Sequence, residues 1–429
     1  GIKNYTHSVD LWMKNSGLII DCDEKKNALR NLFKNSKVAF IYGAAGTGKS
    51  TMINYISSLF KDKQKIFLAN TNPAVENLRR KVTAEHAEFV TITKFLSKDV
   101  SNDCDILCLD ECSTISNRDM VRVLQRAQCK LLVLVGDIYQ IESILFGNWF
   151  NIAYKVMPKD SVAELTRPHR TTVQGLIEVW NKVREITEDR LEFITRNGLS
   201  STLDESIFSR TEEDEIVLCL NYDGIYGINN INKFLQSNNV NPSINWGVLS
   251  YKVGDPVLFN ESNRFAPLVY NNLKGKILQI EEEEDCIYFT IEVYTVLNEL
   301  DVIGFDLELK ESVTDETSVI RFKVGRGRDG NDDNDNVENV VPFQVAYAIS
   351  IHKAQGLEYE SVKVVITSEI EEMVSHNIFY TAITRAKSKL KIYWSPETEK
   401  RILENMKVQF NDKDYQLFKA KYKEALLKS

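Results

Sequence analysis

The chain has 429 residues, enough for roughly two to four domains, and its 43% apolar and 27% charged residues are ordinary for a globular protein. No apolar run approaches the ~18–20 residues of a membrane span, the opening residues lead us to expect neither secretion nor membrane residence, and seven cysteines without framework spacing fit a reducing cytosol. A net charge of −8 argues against coating nucleic acid by bulk charge. Residues 243–340 hold 20 acidic and 9 basic side chains, so an acidic module is set into a nearly neutral body. The opening Gly1-Ile2, rather than Met, is expected of a piece of a longer chain or a tag remnant.

The first 140 residues alternate strand and helix patterns. Strands are predicted at 37–42, 65–69, 105–109 and 130–135, and helices at 50–60 and near 74–81. Such alternation predicts a parallel sheet covered by helices, with ligands at the carboxyl ends of the strands. Residues 148–242 repeat the texture, with a strand at 215–220. Short β-type runs at 253–259, 276–280, 286–296 and 318–324 predict a small β domain. Residues 325–339, rich in Gly, Asn and Asp, read as a mobile loop. Within it, 329–335 lacks the Gly and Glu of a Ca²⁺ loop, so a solvated linker is expected. Strands at 344–348, 362–366 and 390–394 then resume the αβ pattern. The expected domains are therefore 1–147, a second αβ lobe from 148–242 and 341–429, and an inserted β domain at 243–340.

Gly43-Ala44-Ala45-Gly46-Thr47-Gly48-Lys49-Ser50 fits G-x-x-x-x-G-K-[ST] between a strand and a helix. Glycines let backbone N–H groups turn toward phosphate oxygens, and the helix N-terminus adds positive potential. Lys49 answers β/γ-phosphate charge and the Ser50 hydroxyl suits Mg²⁺. Asp110, directly after a strand, can hold Mg²⁺ beside the Ser50 hydroxyl, and Glu111 can orient and deprotonate water. Gln140, after the 130–135 strand, can hydrogen-bond the γ-phosphate or that water. Cys104, Cys108 and Cys112 straddle the Asp110 strand without paired zinc spacing, so buried thiols are expected.

The series GAAGTGKS, LDECSTIS, GDIYQIES, ELTRPHR, ISIHKAQGLEY and FYTAITRAK resembles the motif order of superfamily 1 helicases over roughly residues 18–395. The resemblance implies an α/β protein with two RecA-like P-loop lobes, ATP and Mg²⁺ as cofactors, and a catalytic set of Lys49, Glu111, Gln140, Arg170 and Arg385. Arg170 and Arg385 would be γ-phosphate arginines on the second lobe. Nucleotide contacts would come from Gly43, Ala44, Ala45, Gly46, Thr47, Gly48, Lys49, Ser50, Thr51, Gly356 and Glu358, and metal contacts from Ser50 and Asp110. Thr71, Asn72, Thr91, Ser350, His352 and Lys353 match strand-binding positions. Lys25 stands where the family often has a Gln that recognises adenine, which leaves nucleotide preference open.

No helical insertion fits between Lys81 and Asp105, and the 243–340 insertion resembles the small β-barrel of RecD-like helicases, with bacterial relatives most similar. That branch implies a cytoplasmic DNA helicase moving 5′→3′ on single-stranded DNA, with further domains or subunits as partners. An RNA helicase or RNP remodeller, and a regulatory P-loop ATPase switch that unwinds nothing, are the alternatives.

Overall fold

The computed structural model describes residues 11, 20, 22–32, 37–97, 102–141, 148–167, 169–260, 264–266, 268–312, 314–326, 339–407, 414–417 and 419–421. Most of the expected polar loop, including 329–335, lies outside the described residues. The chain forms two units, one from Gly1–Phe193, Val374–Thr384 and Leu403–Ser429, the other from Ile194–Met373 and Arg385–Ile402.

The first unit is built on six strands: β1 (Val38–Gly43), β2 (Lys65–Ala69), β3 (Ala87–Thr91), β4 (Asp103–Leu109), β5 (Gln128–Gly136) and β6 (Val162–Leu165). All pair in parallel, in the order β3-β2-β4-β5-β1-β6. Near-continuous apolar strands demand cover on both faces. On one face Ile41, Val133 and Phe67 pack with Met52, Ile53 and Leu78 of the helices Lys49–Leu59 and Asn72–Lys81. On the other, Phe40, Leu107 and Leu134 pack with Phe95, Met120, Val123 and Phe150. Each such side chain stabilises the fold by about 1.5–3 kcal/mol when fully buried.

The boundary expected after residue 147 falls later. Phe150, on the helix Trp149–Val156, stacks on Phe40 with ring centroids 4.4 Å apart, and β6 pairs with β1. The helix His376–Ile383 also belongs to this unit.

The second unit holds a parallel sheet of β7 (Ser200–Ser201), β8 (Glu215–Cys219), β17 (Ala348–Ser350), β18 (Tyr359–Val365) and β19 (Ala386–Tyr393), in the order β17-β8-β18-β19-β7. Between β8 and β17 come the hairpin β9 (Ser243–Trp246) and β10 (Leu249–Lys252), then β11 (Pro256–Phe259), β12 (Lys274–Glu282), β13 (Cys286–Val293), β14 (Glu308–Lys310), β15 (Ser318–Gly325) and β16 (Phe343–Val345). The last six pair antiparallel as β14-β15-β13-β12-β11-β16 around Phe259, Phe265, Phe289, Phe322 and Phe343. A barrel-like insertion was expected; among the described residues the strand order is open, with β14 and β16 at its edges.

The single strand predicted at 344–348 is in fact two. β16 pairs with β11, β17 pairs with β8, and only Ala346 and Tyr347 lie between them. Asp255, fully buried, fastens this junction. It accepts hydrogen bonds from Tyr347 Oη (2.8 Å), Asn239 Nδ2 (2.8 Å) and Gln236 Nε2 (2.6 Å).

Candidate functional site

β1 ends at Gly43, and the next helix begins at Lys49. Between them Gly46 (φ 75°) and Gly48 (φ 81°) take left-handed dihedrals that favour glycine. A Cβ at Gly43 would meet the Leu165 carbonyl oxygen at 2.4 Å. Thr47 Oγ1 donates to Ala44 O (2.9 Å), and Lys49 Nζ donates to Gly43 O and Ala44 O, each at 2.9 Å. Burial pushes the Lys49 ammonium below its ordinary range, while Asp137 and Asp110 pull it back. Ala44 and Ala45 are buried; Ser50 and Thr51 open the helix, half-buried and exposed. The Ala45 N–H donates to Tyr380 Oη at 3.3 Å.

Asp110 follows β4 and is only 8% exposed. Burial raises its carboxyl pKa, against the Glu111 N–H bond at 2.8 Å and the Lys49 charge. Glu111 itself is left-handed (φ 51°, ψ 40°), an uncommon conformation for a side-chain-bearing residue and one that gathers at functional sites. Its carbonyl accepts both Thr114 N–H and Thr114 Oγ1–H. Gln140 lies four residues past β5, and the next residue, Ile141, donates its N–H to Thr381 Oγ1 at 3.1 Å. Cys104, Cys108 and Cys112 are buried, and burial pushes the Cys104 thiol up to about 12. Among the described residues no group of three or more His, Cys, Asp and Glu converges as a metal cage.

The segment after β6 lies against the phosphate loop. A Cβ at Gly46 would sit 2.4 Å from Arg170 Cβ, and His169 N–H donates to Gly46 O at 2.6 Å. Arg170 was expected on the second lobe; it belongs instead to the unit of the phosphate loop, because β6 adds to that sheet. Lys25, 4% exposed on the helix Asp23–Leu32, bonds His169 Nε2 at 3.0 Å, and its ammonium would meet a Cβ at Gly48 at 2.6 Å. Burial pushes both Lys25 and His169 downward. Glu24 Oε1 accepts the Thr166 N–H and hydroxyl at 2.7 Å each, so two neighbouring residues of one helix grip this segment.

Thr71 and Thr91 cap the helices that follow β2 and β3, accepting from Ala74 N (3.4 Å) and Lys94 N (3.2 Å). Because β2 and β3 are neighbours in parallel register, Thr71, the exposed Asn72 and Thr91 share one edge of the sheet. The second unit gathers its own set. Ser350 ends β17 and accepts the Lys353 N–H at 3.2 Å; His352 is half-buried between them, and Lys353 Nζ donates to Gln344 Oε1 at 3.0 Å. Gly356 is left-handed (φ 76°), and the Glu358 carbonyl accepts Lys274 Nζ at 3.2 Å. Arg385, 3% exposed, donates to Leu357 O at 3.3 Å, which brings it beside the Gly356–Glu358 turn.

Tyr380, Thr381 and His169 escaped the sequence reading as site residues. Each lies in a quoted motif, but only the fold shows that they touch the loop or its neighbour.

A glycine-bent loop between strand and helix, an acidic pair at the end of a nearby strand, and a half-buried loop lysine define a P-loop nucleoside triphosphatase site. A family model described as AAA domain matches residues 22–204, and one described as UvrD-like helicase C-terminal domain matches residues 345–393. The chain is 24% identical to an uncharacterised protein of Methanocaldococcus jannaschii over 86% of its own length, and spans only 37% of that relative. It is 23% identical to RecBCD enzyme subunit RecD of Buchnera aphidicola, covering 90% of this chain and 78% of that one. It is also 23% identical to ATP-dependent DNA helicase Pif1 of Campylobacter jejuni, covering 82% and 88%. Among solved structures, Pif1 helicase from Candida albicans superposes with a TM-score of 0.54 at 19% identity over 90% of this chain and 99% of that one. Pif1 helicase from Bacteroides in complex with ADP-AlF3 and ssDNA gives 0.53 at 17% identity, covering 88% and 93%. Both parallel sheets have the RecA-like fold of these solved structures, and in sequence the chain resembles RecD and Pif1 helicases.

Proposed function

We propose that this chain is an ATP-dependent DNA helicase that moves 5′→3′ along single-stranded DNA. The observation that carries this reading is the set of Lys49, Asp110 and Asp137, gathered at the carboxyl ends of β1, β4 and β5 beside a loop bent by two left-handed glycines. Lys49 opposes β/γ-phosphate charge. Glu111 orients and deprotonates the attacking water, and Gln140 holds that water or the γ-phosphate. Arg170 and Arg385 meet the charge that develops on the transferred phosphoryl group. The Asp110 carboxylate and Ser50 hydroxyl are hard oxygen donors of the kind Mg²⁺ takes in small number, completing its shell with water and phosphate. When bound, that ion neutralises charge on the β- and γ-oxygens.

Thr71, Asn72 and Thr91 in one unit, and Ser350, His352 and Lys353 in the other, supply hydroxyls, amides and one ammonium. Such groups hold strand phosphates without reading sequence, which lets an acidic chain grip DNA locally. DNA as the track is supported by relatives named RecD and DNA helicase Pif1, and by a Pif1 structure titled with ssDNA. The direction is supported by the stretch between the helix Asn72–Lys81 and β4, whose described residues hold only β3 and the five-residue helix Ile92–Leu96. A first lobe without a large helical insertion resembles the 5′→3′ branch.

The test combines ATPase assays on ssDNA, ssRNA or neither with strand displacement from partial duplexes bearing a 5′ or a 3′ tail. Stimulation by ssDNA and displacement from the 5′-tailed substrate are expected. Displacement only from the 3′ tail overturns the direction. An ATPase indifferent to both polynucleotides reduces the chain to a regulatory switch.

A further inference from the structure

The helix His376–Ile383 and the residue after it are tied to the nucleotide site at three places. Tyr380 Oη accepts the Ala45 N–H at 3.3 Å, Thr381 Oγ1 accepts the Ile141 N–H at 3.1 Å, and Thr384 O accepts Arg170 Nη1 at 2.7 Å. The partners are the phosphate loop, the residue after Gln140, and a candidate phosphate arginine. All lie in the first unit.

The Ala44–Ala45 peptide is bonded on both sides. Its carbonyl accepts Lys49 Nζ at 2.9 Å, and its N–H goes to Tyr380. A cation on the carbonyl makes the N–H of the same peptide a better donor, because hydrogen bonds in a chain polarise one another. A phosphate oxyanion is a stronger partner for an ammonium than a neutral carbonyl. As Lys49 turns from Ala44 O toward phosphate, the Ala45 N–H therefore loosens its hold on Tyr380.

Tyr380 is placed to pass that change on. Its ring is fully buried, stacked on His376 with centroids 6.3 Å apart and edge-on to Tyr139 at 6.3 Å, which Arg184 covers at 5.8 Å. Burial pushes the Tyr380 hydroxyl far above its ordinary range, so it stays a neutral hydroxyl, here accepting the Ala45 N–H. A packed ring cannot swing alone, so a change at Oη moves the helix. The chain runs from that helix through Thr384 directly into Arg385.

We propose that Tyr380 is a positioning residue that reads, through the Ala44–Ala45 peptide, whether Lys49 is engaged by a triphosphate, and sets the helix leading to Arg385. This rests on the nucleotide-hydrolysing reading above and adds a residue to it. The plainer role, a hydroxyl that merely satisfies a buried amide, predicts a different result.

The experiment uses the full chain with Tyr380→Phe, which keeps the ring and removes only the hydroxyl. Fluorescence titration with ADP and with ATPγS gives the ratio of the two affinities, and steady-state ATPase with ssDNA gives kcat and KM. The ratio is expected to shift about fivefold, the worth of one hydrogen bond. The ssDNA-stimulated kcat is expected to fall on the order of tenfold with KM held within about twofold. A ratio and a kcat both within about twofold of wild type overturn the proposal, as does a lower melting temperature with the ratio preserved. The titrations need no turnover. A wild-type chain that binds nucleotide but hydrolyses none overturns the motor reading, while the affinity ratio still decides the role of Tyr380.

Discussion

The Arg170 guanidinium donates to the Thr384 carbonyl oxygen at 2.7 Å, one residue before Arg385. Two arginines of the candidate site thus meet one short piece of chain, one by hydrogen bond and one by covalent sequence. Their loss should differ. Arg385→Ala should leave ATP affinity within a few fold and lower kcat on the order of 10³, because a phosphoryl-facing arginine acts mainly on the reacting state. Arg170→Ala should also cost melting temperature, since it releases the Thr384 carbonyl. Nucleotide titrations, turnover and thermal melts on both variants check this; collapsed binding with normal residual kcat would make Arg385 a ground-state ligand.

Lys49→Ala deletes the ammonium now held by Gly43 O and Ala44 O, and should remove most nucleotide binding and turnover. Glu111→Gln keeps the left-handed backbone and loses only the base. It should still bind ATP while hydrolysis falls by about 10²–10⁴. Wild-type turnover by the Glu111 variant would place the base elsewhere.

Asp110 carries a raised pKa, chiefly from burial. For a carboxylate whose folded pKa lies above the unfolded value, the folded state binds more protons between the two values. Its ionisation then costs stability progressively as pH climbs from about 4, and fully above the folded pKa. Asp110→Asn should therefore raise the melting temperature of the nucleotide-free chain at neutral pH, by about 2–4 °C for each kcal/mol relieved, while abolishing hydrolysis. The gain should shrink as pH falls toward 4. Melts from pH 4.5 to 8 read it, and a neutral-pH loss would show that Lys49 needs this charge more than burial penalises it.

Lys25 offers donors only, where a Gln offers a donor and an acceptor. A donor suits a base carrying a carbonyl oxygen, such as guanine, as well as it suits adenine N7. Wild type should discriminate weakly between ATP and GTP. Lys25→Gln should raise the ATP-to-GTP ratio of kcat/KM by up to about tenfold, the worth of one net hydrogen bond. An unchanged ratio would assign Lys25 to the phosphate loop alone.

The first-unit strands that were legible are those with an unbroken run of mostly apolar residues. β1, β2, β4 and β5 carry such runs, and they bring the phosphate loop, Asp110 and Gln140 with them. β3 has one fully buried residue and β6 only four residues in all, so neither shows in periodicity. That omission also displaced the domain boundary, because αβ texture carries no mark of which sheet it joins. Motif residues were readable because the chemistry sits within eight consecutive positions. Tyr380 was not, because its partner Ala45 lies 335 positions away. The split of residues 343–350 between two sheets was hidden for a similar reason, since an extended run looks the same whichever edge it joins.

Only Ala346 and Tyr347 separate an antiparallel edge from a parallel one. Two residues have no slack, so the inserted module has a stiff stem rather than a tether. Growth or shrinkage in related chains is tolerable at the far turns, such as the Gly247-Val248 bend, where Val248 is wholly exposed. At the stem it is not. One added residue there would slip Ser350 out of register with Cys219 and turn its hydroxyl to the opposite face of the sheet.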